Sequence, residues 1–189
     1  YARTDHHWLP LGAYYAAEAF AKVADVPFAS LSDYDMATKK DYVGSMYTYT
    51  ESAVLLDNPE EFTYYIPKNK YKTTYYTDPT EGDLLMNLDG YDNSMYYLVF
   101  MGGDDKITYV ETDCKNGRTL VIFKDSYGNA LVPCLTSSFE NIYVCDMRYF
   151  ELNAIDFCKQ VGCTDLLFAM NTFSATGGNE SYLESNRVQ

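Results

Sequence analysis

The carboxyl-terminal part of the chain alternates continuous apolar runs with amphipathic stretches. The apolar runs cover residues 119–123, 141–145 and 165–170, and residues 129–139 and 152–161 between them favour helix. Buried strands joined by amphipathic crossovers are typical of a parallel sheet that helices cover on both faces. The pattern therefore predicts a β-α-β-α-β unit, an α/β fold, with functional groups gathered at the carboxyl ends of these strands.

The amino-terminal part shows different patterns. Residues 10–26 predict a helix, because proline suits a first helical turn and the small residues Ala17, Ala21 and Ala24 share a face with Tyr14. Residues 42–110 contain short alternating segments at 46–50, 62–66 and 71–76, which predict a strand-rich antiparallel region inserted into the fold. Residues 174–189 are rich in glycine, serine and asparagine, and we expect them to be loosely held.

Length and charge narrow the class of protein. The 189 residues and the hydrophobic fraction of 47% fit a single domain over residues 1–189, and the start inside a motif without methionine indicates a fragment of a longer protein. No run approaches the roughly 20 apolar residues of a membrane span. The net charge of −13 repels phosphate backbones, so nucleic acid is not expected as a partner.

The sequence predicts neither a metal nor a cofactor. The five cysteines lack paired C-x-x-C spacing, which argues against zinc. Cys158 and Cys163 flank a predicted turn and could pair with each other. The acidic loops at residues 78–83 and 102–105 do not have the ligand spacing of an EF-hand, so they predict solvated turns.

Polar residues follow each of the three predicted parallel strands. They are Asp125 and Ser126, then Asp146 and Arg148, then Asn171. Ser126 lies in a strand-to-helix turn, where backbone N–H groups can hold an anionic oxygen. Gly128 would let the backbone approach a substrate, and Asn171 would donate a side-chain N–H to the same oxyanion. Arg148 is a further candidate for an oxyanion or substrate contact.

Each of these residues also has a simpler structural interpretation. Ser126 could cap the helix that follows it, because serine is a preferred N-cap residue. Asp146 could do no more than pair with Arg148, and Asn171 could close the end of its strand. The sequence leaves these alternatives open for each residue taken alone.

The only two histidines, His6 and His7, stand side by side in the segment Asp5-His6-His7-Trp8, directly before the first predicted helix. A serine hydroxyl is a weak nucleophile and needs a base, and histidine is the side chain whose charge changes near neutral pH. An aspartate two residues from His7 is placed to orient such a base.

Two separate blocks resemble one bacterial family. They are DHHW at residues 5–8, followed by GAYY at 12–15, and KDSYGNAL at 124–131, followed by DMRYF at 146–150. They resemble the family named DHHW after the tetrapeptide, which is similar to SGNH hydrolases and to alginate O-acetyltransferases. The resemblance implies an SGNH-hydrolase-like parallel sheet with Ser126 as nucleophile, His7 as base and Asp5 as its orienting carboxylate. His6 inherits no role and is expected to line the pocket or face solvent.

The resemblance also implies a function. It implies a serine-dependent esterase or O-acetyltransferase that acts outside the cytoplasm on an acylated surface polysaccharide or cell-wall glycan, in a parent protein that is secreted or anchored to the membrane. The alternative is a non-catalytic carbohydrate-binding or structural surface protein on the same frame. The sequence departs from the usual SGNH block at Lys124, where glycine is common, and at Leu9, where related sequences often have threonine.

Overall fold

The computed structural model describes residues 1–77, 80–178 and 180–189. The strands that form within these residues are β1 (Tyr34–Tyr42), β2 (Glu60–Pro67), β3 (Tyr71–Tyr75), β4 (Thr80–Gly82), β5 (Ile107–Thr112), β6 (Thr119–Lys124), β7 (Asn141–Asp146) and β8 (Asp165–Ala169). Strands β1 and β2 form an antiparallel pair, and the others form one sheet in the order β4-β3-β5-β7-β6-β8.

Helices connect and cover these strands. The α-helices of the described residues are α1 (Pro10–Ala24), α2 (Ser45–Thr50), α3 (Ala53–Leu56), α4 (Val132–Leu135), α5 (Ala154–Gln160), α6 (Thr172–Thr176) and α7 (Glu180–Val188). Short 3-10 helices occupy Leu31–Asp33, Asn93–Val99 and Ser126–Leu131.

The main sheet is mixed. Strand β6 pairs in parallel with β7 on one side and β8 on the other, which confirms the predicted β-α-β-α-β unit. Strands β3, β4 and β5 extend the same sheet with antiparallel pairing, so the predicted parallel sheet is only half of it. Every residue of β6 is buried, as expected for a central strand covered on both faces. The turn at Ser126 directly follows the carboxyl end of β6, so the buried strand fixes where this turn begins.

Helix α1 confirms the first predicted helix. Pro10 stands in its first turn, and Ala13, Ala17 and Ala21 are fully buried on the face that contacts the core. The helix ends at Ala24, two residues before the predicted end, because Asp25 adopts a left-handed conformation with φ of 54° and donates its N–H to the Ala21 carbonyl. The helix fixes one end of the loop that carries the histidines.

Three local predictions were wrong. Residues 46–50 form part of helix α2 instead of a strand. Residues 129–139 form a 3-10 turn followed by the short α4, because Pro133 has no N–H for a continuous helix. The tail forms α6 and α7, where Asn186 is buried and donates to the Met147 carbonyl at 2.9 Å. Tertiary contacts override local preference at residues 46–50 and in the tail.

The remaining sequence predictions concern loops and cysteines. Of the predicted acidic turn at residues 78–83, positions 78 and 79 lie outside the described residues, and Thr80–Gly82 forms β4. All five thiols are free, so the possible pairing of Cys158 with Cys163 is not formed. Among the described residues, no helix has the length and apolar character needed to cross a bilayer.

Candidate active site

The loop before α1 is held against the β1–β2 pair. The Glu60 carboxylate accepts hydrogen bonds from the backbone N–H of Arg3 at 2.9 Å, from that of Thr4 at 2.8 Å, and from the Thr4 hydroxyl at 2.7 Å. The backbone N–H of Ala2 donates to the His7 carbonyl at 3.2 Å and closes the loop on itself. These bonds and the start of α1 at Pro10 fix the backbone on both sides of Asp5 and His7.

Asp5 and Gly44 are in close contact. The Asp5 Oδ2 atom accepts the backbone N–H of Ser45 at 2.8 Å, at the start of α2. A Cβ atom on Gly44 would lie 2.3 Å from that same oxygen, so glycine is required by space rather than by backbone angle. This contact helps to start the helix at residues 46–50, because the N–H of Ser45 faces a carboxylate and that of Met46 donates to the Thr4 carbonyl at 3.0 Å.

We expect Gly44→Ala to lower turnover of an acetyl ester about 100-fold. The added methyl must displace Asp5, and a shift of about 1 Å in a catalytic array can cost that much in rate. The measurement is kcat/KM with p-nitrophenyl acetate, together with a thermal unfolding curve. Gly12→Ala is the matched control, because its Cβ would meet only Trp8 Cβ at an ordinary 3.5 Å. Equal activity of the two variants would show that the close approach of Gly44 to Asp5 is not needed.

Asp5, His7 and Ser126 form a hydrogen-bonded chain. His7 Nδ1 lies 2.6 Å from Asp5 Oδ1, and His7 Nε2 lies 2.8 Å from Ser126 Oγ. The backbone N–H of His7 also donates to Asp5 Oδ1 at 2.8 Å. Asp5 and His7 are buried and Ser126 is half-buried. The fold thus joins residues 119 positions apart in the arrangement of a Ser-His-Asp triad.

The environment keeps Asp5 ionised. Burial by itself would raise the pKa of Asp5, but the hydrogen bonds from His7 and from the backbone N–H groups of Ser45 and His7 outweigh it and lower the pKa well below the ordinary value. The ionised carboxylate therefore stabilises the fold above its unfolded pKa, and this stabilisation is lost as the pH falls through the lowered value.

Tyr97 is a site residue that the sequence analysis missed. Its ring stacks on that of His7, with centroids 3.7 Å apart and planes 6° from parallel. Its hydroxyl donates to the Ser126 carbonyl at 2.9 Å. The His6 ring also contacts that of His7, with centroids 3.8 Å apart and planes tilted by 38°. Tyr97 therefore contacts both the imidazole and the serine, and nothing in the sequence distinguishes it from the other 19 of the 20 tyrosines.

The turn at Ser126 is built by Asp125. Its Oδ1 atom accepts the backbone N–H of Tyr127 at 2.9 Å, so Asp125 is the N-cap and Ser126 is not. Its Oδ2 atom accepts the backbone and side-chain N–H groups of Asn171 at 3.1 and 2.7 Å. Across the described residues, the hydrogen bonds leave the backbone N–H of Ser126 without an acceptor. That N–H is the available donor for an oxyanion.

Asn171 and Gly128 have contacts other than those predicted. The Asn171 side-chain amide donates to Asp125 and also to Ser174 Oγ at 3.1 Å, so its N–H groups are engaged within the protein and do not form a free oxyanion donor. A Cβ on Gly128 would lie 2.4 Å from Lys124 Cβ, so this glycine lets the turn pack on Lys124. Both residues position the Ser126 turn.

Lys124 replaces the expected glycine and is 1% exposed. Its Nζ atom lies 2.7 Å from Asp104 and 2.8 Å from Asp146, and Arg148 also pairs with both carboxylates. Two positive and two negative charges thus compensate one another beneath the turn. Asp146 pairs with Arg148, as the simpler interpretation held. Arg148 donates to Asp146 and Asp104 through its Nε and Nη2 atoms, and its predicted oxyanion or substrate contact stays a prediction.

The ion pairs among Lys124, Asp104, Asp146 and Arg148 shift the pKa values of two of these groups and tie down the loop that contains Asp104. Burial would raise the pKa of Asp104, but Lys124, Asn129 and Arg148 together lower it below the ordinary value. Hydrogen bonding to Asp146 raises the pKa of Arg148, although burial opposes this. Asp104 belongs to the loop predicted as a solvated turn, whose residues 102–105 are exposed or half-exposed, and its carboxylate also pairs with buried Lys124.

His6 is half-exposed beside the triad. Its Nδ1 atom contacts Ser45 Oγ, and its carbonyl accepts the Tyr127 hydroxyl. Burial and the neighbouring His7 lower the pKa of His6, against the opposing effect of Asp5 and Asp125, so the ring is neutral at pH 7. His6 lines a cavity next to the triad.

Asp5, His6 and His7 also place possible metal-ligand atoms within 4.8 Å of one another. Both ring nitrogens of His7 are already engaged, by Asp5 and by Ser126. A metal bound through His7 would therefore break the triad, and the hydrogen-bonded arrangement fits acid–base chemistry better than metal ligation.

Comparison with known proteins identifies the family. The family model described as DHHW protein matches residues 1–145. A DHHW family protein from Eubacterium siraeum, known from its crystal structure, is 49% identical with a TM-score of 0.93, over 100% of this chain and 64% of that one. A search of the curated proteins finds no match.

The fold also resembles PatB1 of Bacillus cereus. That structure is 19% identical with a TM-score of 0.71, over 94% of this chain and 64% of that one. PatB1 with a sulfonyl adduct gives 20% identity and a TM-score of 0.76, over 96% of this chain and 63% of that one. The chain thus spans less than two thirds of the length of these matched structures. On the match to residues 1–145, the chain belongs to the DHHW protein family.

Proposed function

We propose that the chain is a serine-dependent esterase or O-acetyltransferase on an SGNH-hydrolase-like frame. The observation that carries the proposal is the position of His7, whose two ring nitrogens lie 2.6 Å from Asp5 and 2.8 Å from Ser126. A nucleophile, a base and an orienting carboxylate in this order are the parts that acyl transfer requires. The unpartnered N–H of Ser126 adds a donor for the oxyanion.

The reaction would proceed in two steps. His7 Nε2 takes the proton from Ser126 Oγ, and the oxygen attacks the acetyl carbonyl. The bond to the sugar oxygen breaks, and the sugar leaves with the proton that His7 returns. In the second step His7 deprotonates water or a second sugar hydroxyl, which attacks the acetyl-serine and restores Ser126. Asp5 stabilises the imidazolium that forms in both steps.

The substrate we propose is an acylated surface polysaccharide or cell-wall glycan, outside the cytoplasm, with a parent protein that is secreted or membrane-anchored. The resemblance of both motif blocks to surface-glycan enzymes supports this assignment, and the net charge of −13 argues against nucleic acid as a partner.

One assay separates the possible activities. The chain is incubated with p-nitrophenyl acetate, with and without cellopentaose as acceptor. Release of p-nitrophenol and acetate supports an esterase, and acetylated cellopentaose supports a transferase. A third outcome would instead favour a non-catalytic carbohydrate-binding protein. In it, the wild-type chain releases p-nitrophenol no faster than Ser126→Ala does, but still binds cellopentaose.

A further inference from the structure

A cavity of about 340 Å³ lies directly beside the triad. Its lining includes His6, next to the base, and Tyr127, next to the nucleophile, and continues to Asn171, Phe173, Ser174 and Gly178. Sites for small molecules have volumes of about 300–1,000 Å³. The cavity is thus larger than an acetyl group needs, and it has room for the group that carries the ester.

Phe173 is the unusual residue of this lining. It lies in α6 and is 88% exposed, the largest exposed fraction among the large hydrophobic side chains of the described residues. Because Phe173 lines the cavity and its ring contacts little of its own protein, the ring is available to a ligand there. Helix α6 is fixed at its start, because Asn171 caps it through Ser174 N at 2.9 Å and bonds to Asp125 beneath the nucleophile. The position of Phe173 is therefore tied to that of Ser126.

The polar groups of the cavity are neutral hydrogen-bonding groups. His6 Nδ1 contacts Ser45, and no described residue bonds to its Nε2 atom, which can therefore bond to a ligand. The Tyr127 hydroxyl donates to the His6 carbonyl and retains its acceptor capacity. His6 is uncharged at pH 7 because its pKa is lowered by burial and by His7. The lining therefore combines an exposed aromatic face with neutral polar groups.

We infer that this cavity binds the pyranose ring of a neutral O-acetylated sugar, with the ring stacked on Phe173 and its hydroxyls bonded by His6 Nε2 and the Tyr127 hydroxyl. One face of a pyranose presents C–H groups over an area similar to that of a phenyl ring, so stacking buries apolar surface on both sides. This inference rests on the proposed function, because it assigns the carrier of the acetyl group.

The test compares two acetyl esters, 6-O-acetylglucose with a pyranose ring and vinyl acetate with none. Phe173→Ala is expected to lower the ratio of kcat/KM for 6-O-acetylglucose to kcat/KM for vinyl acetate about tenfold. Phe173→Tyr keeps the flat ring and should retain the ratio. Tyr91→Ala removes a partly exposed aromatic outside the cavity and is the control. An unchanged ratio in Phe173→Ala would overturn the inference.

A binding measurement on catalytically inactive chains tests the sugar site independently of ester turnover. 6-O-Acetylglucose is titrated into the Ser126→Ala chain and the Ser126→Ala, Phe173→Ala chain, and Kd is followed by NMR shifts. Binding that is about tenfold weaker without Phe173 supports the sugar site even if the wild-type chain turns over neither ester, a result that would refute only the proposed function. Equal binding by both chains, or no binding by either, would refute the sugar site.

Discussion

Ser126→Ala is expected to lower kcat/KM for p-nitrophenyl acetate by about 10⁴-fold or more, with little change in stability. The substitution removes the hydroxyl that His7 contacts at 2.8 Å, and loss of a triad nucleophile removes the whole covalent route. Ser126 is only half-buried and its hydroxyl does not cap the helix, so the alanine variant should fold.

The control for this variant is Ser32→Ala, which removes an exposed hydroxyl in the 3-10 helix Leu31–Asp33. Its activity should equal that of the wild type. Unfolding curves of all three proteins should agree within a few degrees. If Ser126→Ala were folded and retained more than about a tenth of the wild-type rate, the assignment of the nucleophile would be wrong.

Asp5→Asn is expected to lower kcat about 10³- to 10⁴-fold. Asp5 accepts three N–H groups, from His7 Nδ1, His7 N and Ser45 N. An asparagine at this position loses the charge that stabilises the imidazolium and presents an amide donor to groups that also donate, which favours the wrong tautomer of His7. The measurement is kcat at saturating p-nitrophenyl acetate across pH 5 to 9.

Asp35→Asn is the matched control, because Asp35 is exposed and pairs only at the surface with Lys68. Its kcat should be unchanged. Since the pKa of Asp5 is lowered, Asp5 itself stays ionised in mild acid, and the acid limb of the wild-type profile should not arise from its protonation. A loss smaller than tenfold in Asp5→Asn would mean that the carboxylate does not orient a catalytic histidine.

The sequence predicted the residues of the triad but not what holds them. Asp5, His7 and Ser126 could be identified because histidine is scarce and both blocks resemble one family. The parts that position them come from the middle of the chain: Gly44 and Ser45 hold Asp5, and Tyr97 stacks on His7. None of these is an unusual residue type, and their contacts exist only after about 40 to 90 residues of chain have folded back on the loop.

The wrong predictions have the same origin. Local preference favoured a strand at residues 46–50, but the contact between Ser45 and Asp5 starts a helix there. Lys124 differs from the glycine that is usual in the SGNH block. Only the fold shows that the charge of Lys124 is neutralised by Asp104, from a loop 20 residues earlier. Continuous apolar runs predicted the three parallel strands correctly, because a strand that is buried on both faces needs apolar residues at successive positions.

The most direct test of an activated serine is covalent labelling with phenylmethylsulfonyl fluoride, followed by intact mass and peptide mapping. We expect one sulfonyl group per chain, located on Ser126, with no label in Ser126→Ala and labelling slowed at least about 100-fold in folded His7→Gln. Labelling of Ser126 at the same rate in wild type and His7→Gln, or no labelling of Ser126 in the folded wild-type chain, would contradict the claim that His7 activates this serine.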